Sequence, residues 1–208
     1  MSRGVHKMNA SLRKNVKYPF IRRILAKKYD KAALRRILDG AETHYAALSA
    51  RCEGATSGEW FHLNNTILPT AAVYKALLDT DADHALAVTH EAVLSLCRMG
   101  NRMMRFILRI PGMKGLFMRL LPKMALGMFG RDCGFDYTHY AADSTRLEMD
   151  VTICPYCKHA VLLGVEALLP TFCESDFATY DDLPGIRFRR TQTLGSGGSC
   201  CDFRFVRE

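Results

Sequence analysis

No run of eighteen or more uninterrupted apolar residues occurs in the sequence, so it lacks the signal of a bilayer-spanning helix. The opening MSRGVHKMNASLRKNVKYPF lacks the apolar stretch and small-residue cleavage site of a secretory leader, and a cytoplasmic chain is expected. Internal repeats and long linkers are also missing. Acid is scarce at the start: residues 1–40 hold twelve Lys and Arg against only Asp30 and Asp39. The formal net charge of +8 is therefore a property of the N-terminal part. Residues 1–28 read as a basic arm ahead of a single domain over residues 29–208. No nucleic-acid recognition motif accompanies the arm, so nucleic acid is not an expected partner. The readings left are the solvated face of an opening helix or peripheral contact with an anionic membrane surface.

What is present is a chain of 208 residues, 49% hydrophobic, long enough to bury one core. It also has eight cysteines. In a reducing compartment these are thiols, metal ligands or catalytic groups before they are disulfides.

Periodicity divides the domain into a helical part, residues 29–135, and a sheet-rich part, residues 136–208. In YDKAALRRILDGAETHYAALSARC, Leu34, Leu38, Ala41, Tyr45 and Leu48 recur at three- and four-residue spacing, with Asp30 as N-cap. NNTILPTAAVYKALLDT and DADHALAVTHEAVLSLCRMGNRMMRFI read as further helices, with Asn65 or Thr66 and Asp81 as caps. In RFILRIPGMKGLFMRLLPKMALGMFG, Pro111, Gly112, Gly115 and Pro122 are expected to break the chain into short pieces. That segment, residues 105–130, is rich in Met and reads as core helices, a lid or an interfacial element.

The period changes at residue 144. Leu147, Met149, Val151 and Ile153 alternate with Glu148, Asp150 and Thr152, the pattern of a strand with one buried face that ends at Cys154. GIRFRRTQTL and CCDFRFVRE flank GSGGS and read as an antiparallel hairpin with a five-residue loop. Cys201, Phe203 and Phe205 then share one face of the last strand. Helical segments lie between, around CKHAVLLG and VEALLPTFCESDFATY. The expected fold class is α+β: N-terminal helices packed against a small antiparallel sheet formed largely by the C-terminal third.

Cys154-Pro155-Tyr156-Cys157 spells a dithiol motif. A glutaredoxin-like fold places such a pair near its start, with several strands and a helix still to follow, whereas only a helical region and a hairpin follow here. A zinc site would need Cys154 and Cys157 to join Cys173 or Cys200 and Cys201, and adjacent residues on a strand point to opposite faces. His62, His90 and His159 are isolated and read as structural. Cys52, Cys97 and Cys133 read as core or surface thiols.

Taken in order, C-P-Y, G-V-E-A-L-L, F-C-E-S-D-F, F-R-R-T-Q-T-L and G-S-C-C-D-F-R-F resemble the signature of the L-2-amino-thiazoline-4-carboxylic acid hydrolase family. The resemblance covers about residues 144–207 and is more distant to vinyl-reductase-like ligand-binding domains. It implies a hydrolase that opens a small cyclic amidine, isothiourea or related cyclic amide to a carbamoyl product. By that resemblance Cys173, Asp176, Cys154 and Cys201 are the catalytic candidates: a thiolate from Cys173 or Cys154 attacks, or Asp176 activates water. Arg190, Thr191 and Asp202 are the substrate-binding candidates, with Arg190 clamping a carboxylate. Phe203 also falls in the pattern and reads as core, while Cys157 and Cys200 fall outside it. No cofactor or metal is expected; the alternative is zinc or iron on Cys154, Cys173 and Cys201. A ligand- or metal-binding module without hydrolase activity, and a dithiol redox protein, are the competing functions.

Overall fold

The computed structural model describes residues 11–208. Arg3 and Lys7, part of the basic arm, lie outside the described residues. The remainder of the arm packs on the body of the protein: Leu12 and, from helix α1 (Tyr18–Leu25), Ile21 and Leu25 are buried in the helical core.

Helix α2 (Lys31–Ala50) begins where Asp30 accepts a hydrogen bond from the Ala33 amide at 2.8 Å, as the sequence pattern suggests. Its buried stripe, including Ile37, Ala41, Tyr45 and Leu48, faces α4 (Leu68–Thr80). The expected caps at Asn65 and Thr66 are not caps. Thr56 starts the preceding helix α3 (Ser57–His62) through a capping box with Glu59, and the chain runs from α3 into α4 through a π-helical turn, Leu63–Ile67. Pro69, in the first turn of α4, has no N–H for the preceding turn, consistent with a wider turn there. Asp81 ends α4 and holds the Tyr29 hydroxyl at 2.7 Å.

Helices α5 (Ala85–Leu108) and α6 (Met113–Phe129) meet at a tight turn in which Gly112 has φ 84°, a conformation that favours glycine. Pro111 and Gly112 end α5 as expected, but Gly115 and Pro122 do not break α6. A proline inside a helix costs about 3 kcal/mol. Here α6 persists because Met118, Leu121 and Ala125 are buried in the core it shares with the sheet.

The sheet has four antiparallel strands in the order β1-β2-β4-β3: β1 (Asp136–Ala142), β2 (Arg146–Ile153), β3 (Ile186–Arg189) and β4 (Cys201–Arg207). Leu147, Met149 and Val151 of β2 and Cys201 and Phe205 of β4 are buried on one face. Ile153 departs from the alternation and is exposed, because the β4 ladder ends opposite Val151. Helices α7 (Pro155–Leu163) and α8 (Leu169–Tyr180) lie in sequence between β2 and β3. The architecture is α+β.

The β3–β4 hairpin forms, but its connection takes residues 190–200 rather than five. Asp202 explains the difference: its carboxylate accepts from the amides of Thr191 and Gln192 and from the Thr191 hydroxyl at 2.7–2.9 Å. Those amides are then lost to the ladder.

Candidate functional site

Between the helical core and the sheet core lies a cavity of about 490 Å³. Most of its wall is apolar: Phe117, Leu121 and Met128 of α6, Phe129 at the end of that helix, and Leu147, Met149 and Val151 of β2. A few polar groups interrupt this lining, as in small-molecule sites. They include Cys154, Cys157, Cys173, Asp176, Arg190, Cys201, His62, Tyr156 and Lys17.

All four catalytic candidates of the sequence pattern, Cys154, Cys173, Asp176 and Cys201, thus line one cavity, although they come from the end of β2, from α8 and from β4. Cys154 is the N-cap of α7, and Cys157 follows one turn later. Cys173 and Asp176 stand three residues apart on α8 and face inward together. The connection presses on this helix at Gly195, where a Cβ would come within 2.7 Å of the Cys173 sulfur, so any larger residue there must displace that thiol. The Leu194 amide donates to the Cys201 sulfur at 3.3 Å.

The thiols differ in acidity. Burial pushes Cys173 up and Cys201 up to about 11. Cys154 and Cys157 stand at the N-cap and in the first turn of α7, and each changes the acidity of the other. The neighbouring Cys157 and burial raise Cys154 well above the usual thiol range, and Cys157 is brought down to about 7. Cys157, outside the family pattern, is therefore the thiol in this cavity best disposed to ionise near neutral pH.

Arg190 is held by the protein itself. Its Nη1 pairs with Asp176, its Nη2 donates to the Cys173 carbonyl at 2.7 Å, and its guanidinium lies over the rings of Phe177 and Phe203, 4.9 and 5.6 Å from their centroids. The side chain is 4% exposed. Burial dominates at Asp176 and raises its carboxyl to about 6 despite the opposing pull of Arg190. A carboxylate poised there is suited to proton transfer near neutral pH.

Thr191 and Asp202 are placed elsewhere. Asp202 lies on the opposite face of β4 from Cys201 and Phe205, bonded to the connection rather than to the cavity. Arg190, expected to clamp a substrate carboxylate, is paired instead with Asp176. The three thiols named as alternative zinc or iron ligands share the cavity wall, but among the described residues no three Cys, His, Asp or Glu side chains converge closely enough to hold a metal ion.

Sequence reasoning passed over several cavity residues. His62 donates from Nε2 to the Met128 carbonyl at 2.6 Å, which leaves Nδ1 to accept from the Tyr156 hydroxyl at 3.2 Å. Burial lowers its pKa, so it is neutral. His90 pairs with Glu174 on the surface, and buried His159 lies 3.3 Å from Glu59, outside the cavity. Lys17, counted with the basic arm, reaches the cavity wall, with Nζ 3.4 Å from the Thr66 hydroxyl and its pKa lowered by burial. The π-helical turn brings Asn65 and Thr66 to the same wall. The signal for these residues is three-dimensional, apart from the Pro69 that accompanies the wide turn.

A family model described as L-2-amino-thiazoline-4-carboxylic acid hydrolase matches residues 60–205, from α3 to β4, and so includes nearly every cavity element. No curated protein and no solved structure matches the chain. With most of its length matched, cavity included, the chain belongs to the L-2-amino-thiazoline-4-carboxylic acid hydrolase family.

Proposed function

We propose that the protein hydrolyses a small cyclic isothiourea or amidine bearing a carboxylate, with Cys157 as nucleophile and Asp176 as general base. The observation that carries this reading is the convergence of Cys154 and Cys157 at the start of α7 with Asp176 of α8 on the wall of one largely apolar cavity; the lowered Cys157 and raised Asp176 agree with it.

For a 2-aminothiazoline ring the steps balance as follows. The Cys157 thiolate adds to the carbon between nitrogen and sulfur, and the ring carbon–sulfur bond breaks. Its electron pair leaves on the ring sulfur, which takes the proton of Cys154. The substrate is then held as an isothiourea on Cys157. Asp176 removes a proton from water as its oxygen attacks the same carbon, and the Cys157 sulfur leaves as thiolate. The proton on Asp176 passes to the Cys154 thiolate and restores the enzyme; the product is a carbamoyl group on the former ring nitrogen and a free thiol, one water having been consumed.

Arg190 is engaged with Asp176 and Cys173, so its role is to position and tune the base. Lys17 makes no ion pair among the described residues and takes the substrate carboxylate. No step calls for a metal or cofactor.

Incubation with 2-amino-thiazoline-4-carboxylate, followed by mass spectrometry of the product, tests the reading. Ring opening by the wild type, reduced roughly a hundredfold or more in Cys157→Ser and in Asp176→Asn, supports it. Binding without turnover would make the protein a ligand-binding module. One observation favours a second reading, a dithiol redox protein: Cys154 and Cys157 lie one turn apart at the start of α7, both on the cavity wall. Reduction of a mixed disulfide that needs both cysteines, without ring opening, would select it.

A further inference from the structure

Away from the cavity, the outer faces of α5 and α6 carry a regular pattern. Between Glu91 and Asp132 the chain has eight Lys and Arg and no acidic residue. Along the second half of α5 and the turn that follows it, each of Arg98, Arg102, Arg105 and Arg109 is followed by an apolar residue: Met99, Met103, Phe106 and Ile110. Steps of four and three residues put Met99, Met103 and Phe106 on one helix face with the arginines beside them, and Ile110 follows in the turn. Helix α6 repeats the device with Arg119–Leu120 and Lys123–Met124, in line with Leu116. The apolar members stand in solvent, Phe106 at 70% and Met103 at 65% of full exposure. Among the described residues, only Arg105, with Asp182, and Arg131, with Asp136, form ion pairs from this set.

We propose that the α5–α6 hairpin docks this face on an anionic lipid bilayer, its apolar side chains in the headgroup boundary and its cations on lipid phosphates. The face lies on the surface rather than through it, since no described helix is long and apolar enough to cross a membrane. A second copy is a poor occupant: a two-fold contact would set these cations against each other with no acid from the segment to offset them. RNA would satisfy the cations but give the Met, Ile and Leu side chains nothing to enter, whereas a bilayer satisfies both. The surface is distinct from the N-terminal arm, where the sequence concentrates its basic excess. It also adjoins the cavity, because the inner face of α6 is cavity wall and Met124, half exposed, belongs to the lining as well. The proposal does not rest on the hydrolase reading.

Sedimentation of the full chain with phosphatidylcholine vesicles, with or without phosphatidylglycerol, tests it. Binding is expected with the anionic vesicles and should weaken as salt rises. Each basic side chain near such a surface contributes roughly fivefold. Accordingly Arg98→Gln/Arg102→Gln/Arg109→Gln, and separately Met103→Ser/Phe106→Ser/Ile110→Ser, should each lower partitioning at least tenfold. Hydrogen exchange of the unaltered chain guards against misfolded variants: anionic vesicles should protect residues 99–126. Equal binding to neutral vesicles, binding to neither, retention by both variants, protection only elsewhere, or binding of RNA without vesicles would each overturn the proposal. So would a dimer that Phe106→Ser dissolves.

Discussion

Asp176→Asn should stabilise the fold at neutral pH while abolishing the proposed activity. The Asp176 carboxyl sits at about 6 in the folded protein, against an ordinary 3.8. A group raised by folding contributes stability that is complete below its unfolded value and is lost as pH climbs through its folded value. Integrating that linkage, carrying Asp176 ionisable costs the folded state about 3 kcal/mol at pH 7 and little at pH 4. Asparagine cannot ionise, keeps the shape and still offers Arg190 an acceptor oxygen, so it should recover much of that difference. Urea denaturation of both proteins at pH 4 and pH 7 provides the comparison. The gain should be clear at pH 7 and nearly absent at pH 4. A competing view makes the carboxylate indispensable to buried Arg190, in which case removing the charge should cost about 3–5 kcal/mol at pH 7. A loss of that size at pH 7 would refute the reasoning and with it the raised carboxyl.

Alkylation by iodoacetamide, followed residue by residue, should modify Cys157 with an apparent pKa of about 7, ahead of Cys173 and Cys201, and Cys154→Ala, which leaves no donor beside it, should shift that midpoint upward. Lys17→Met should raise KM for a carboxylate substrate roughly tenfold or more while changing kcat less, because it removes a charged contact common to ground and transition states; an unchanged KM would remove Lys17 from substrate binding. Asp202→Ala deletes three hydrogen bonds to the β3–β4 connection and should lower stability by about 1–3 kcal/mol, seen as a reduced denaturation midpoint.

Local patterns announced much of this fold. Asp30 ahead of an amphipathic repeat, and Leu147, Met149 and Val151 alternating toward Cys154, depend on neighbours a few residues away, and the structure keeps both features. Features decided by distant partners were not legible. Helix α6 runs through Pro122 because a sheet later in the sequence buries its inner face. Lys17 belongs to a basic arm by composition, yet its neighbour Thr66 is far along the chain. At the site, the resemblance named Cys173 and Asp176, whose spacing on α8 is local. It also named Asp202, whose carboxylate turns to the backbone of Thr191 and Gln192. Cys157 was set aside because a motif records residue types, whereas thiol acidity depends on which proton donor lies alongside.

Rapid-quench mass spectrometry of the protein mixed with 2-amino-thiazoline-4-carboxylate tests nucleophilic catalysis by Cys157 most directly. Addition followed by ring opening loses no atoms, so the peptide containing Cys157 should transiently gain the mass of the whole substrate, and Cys157→Ser should show no such gain. Turnover with no adduct in the wild type, or an adduct carried by Cys173, would contradict the account.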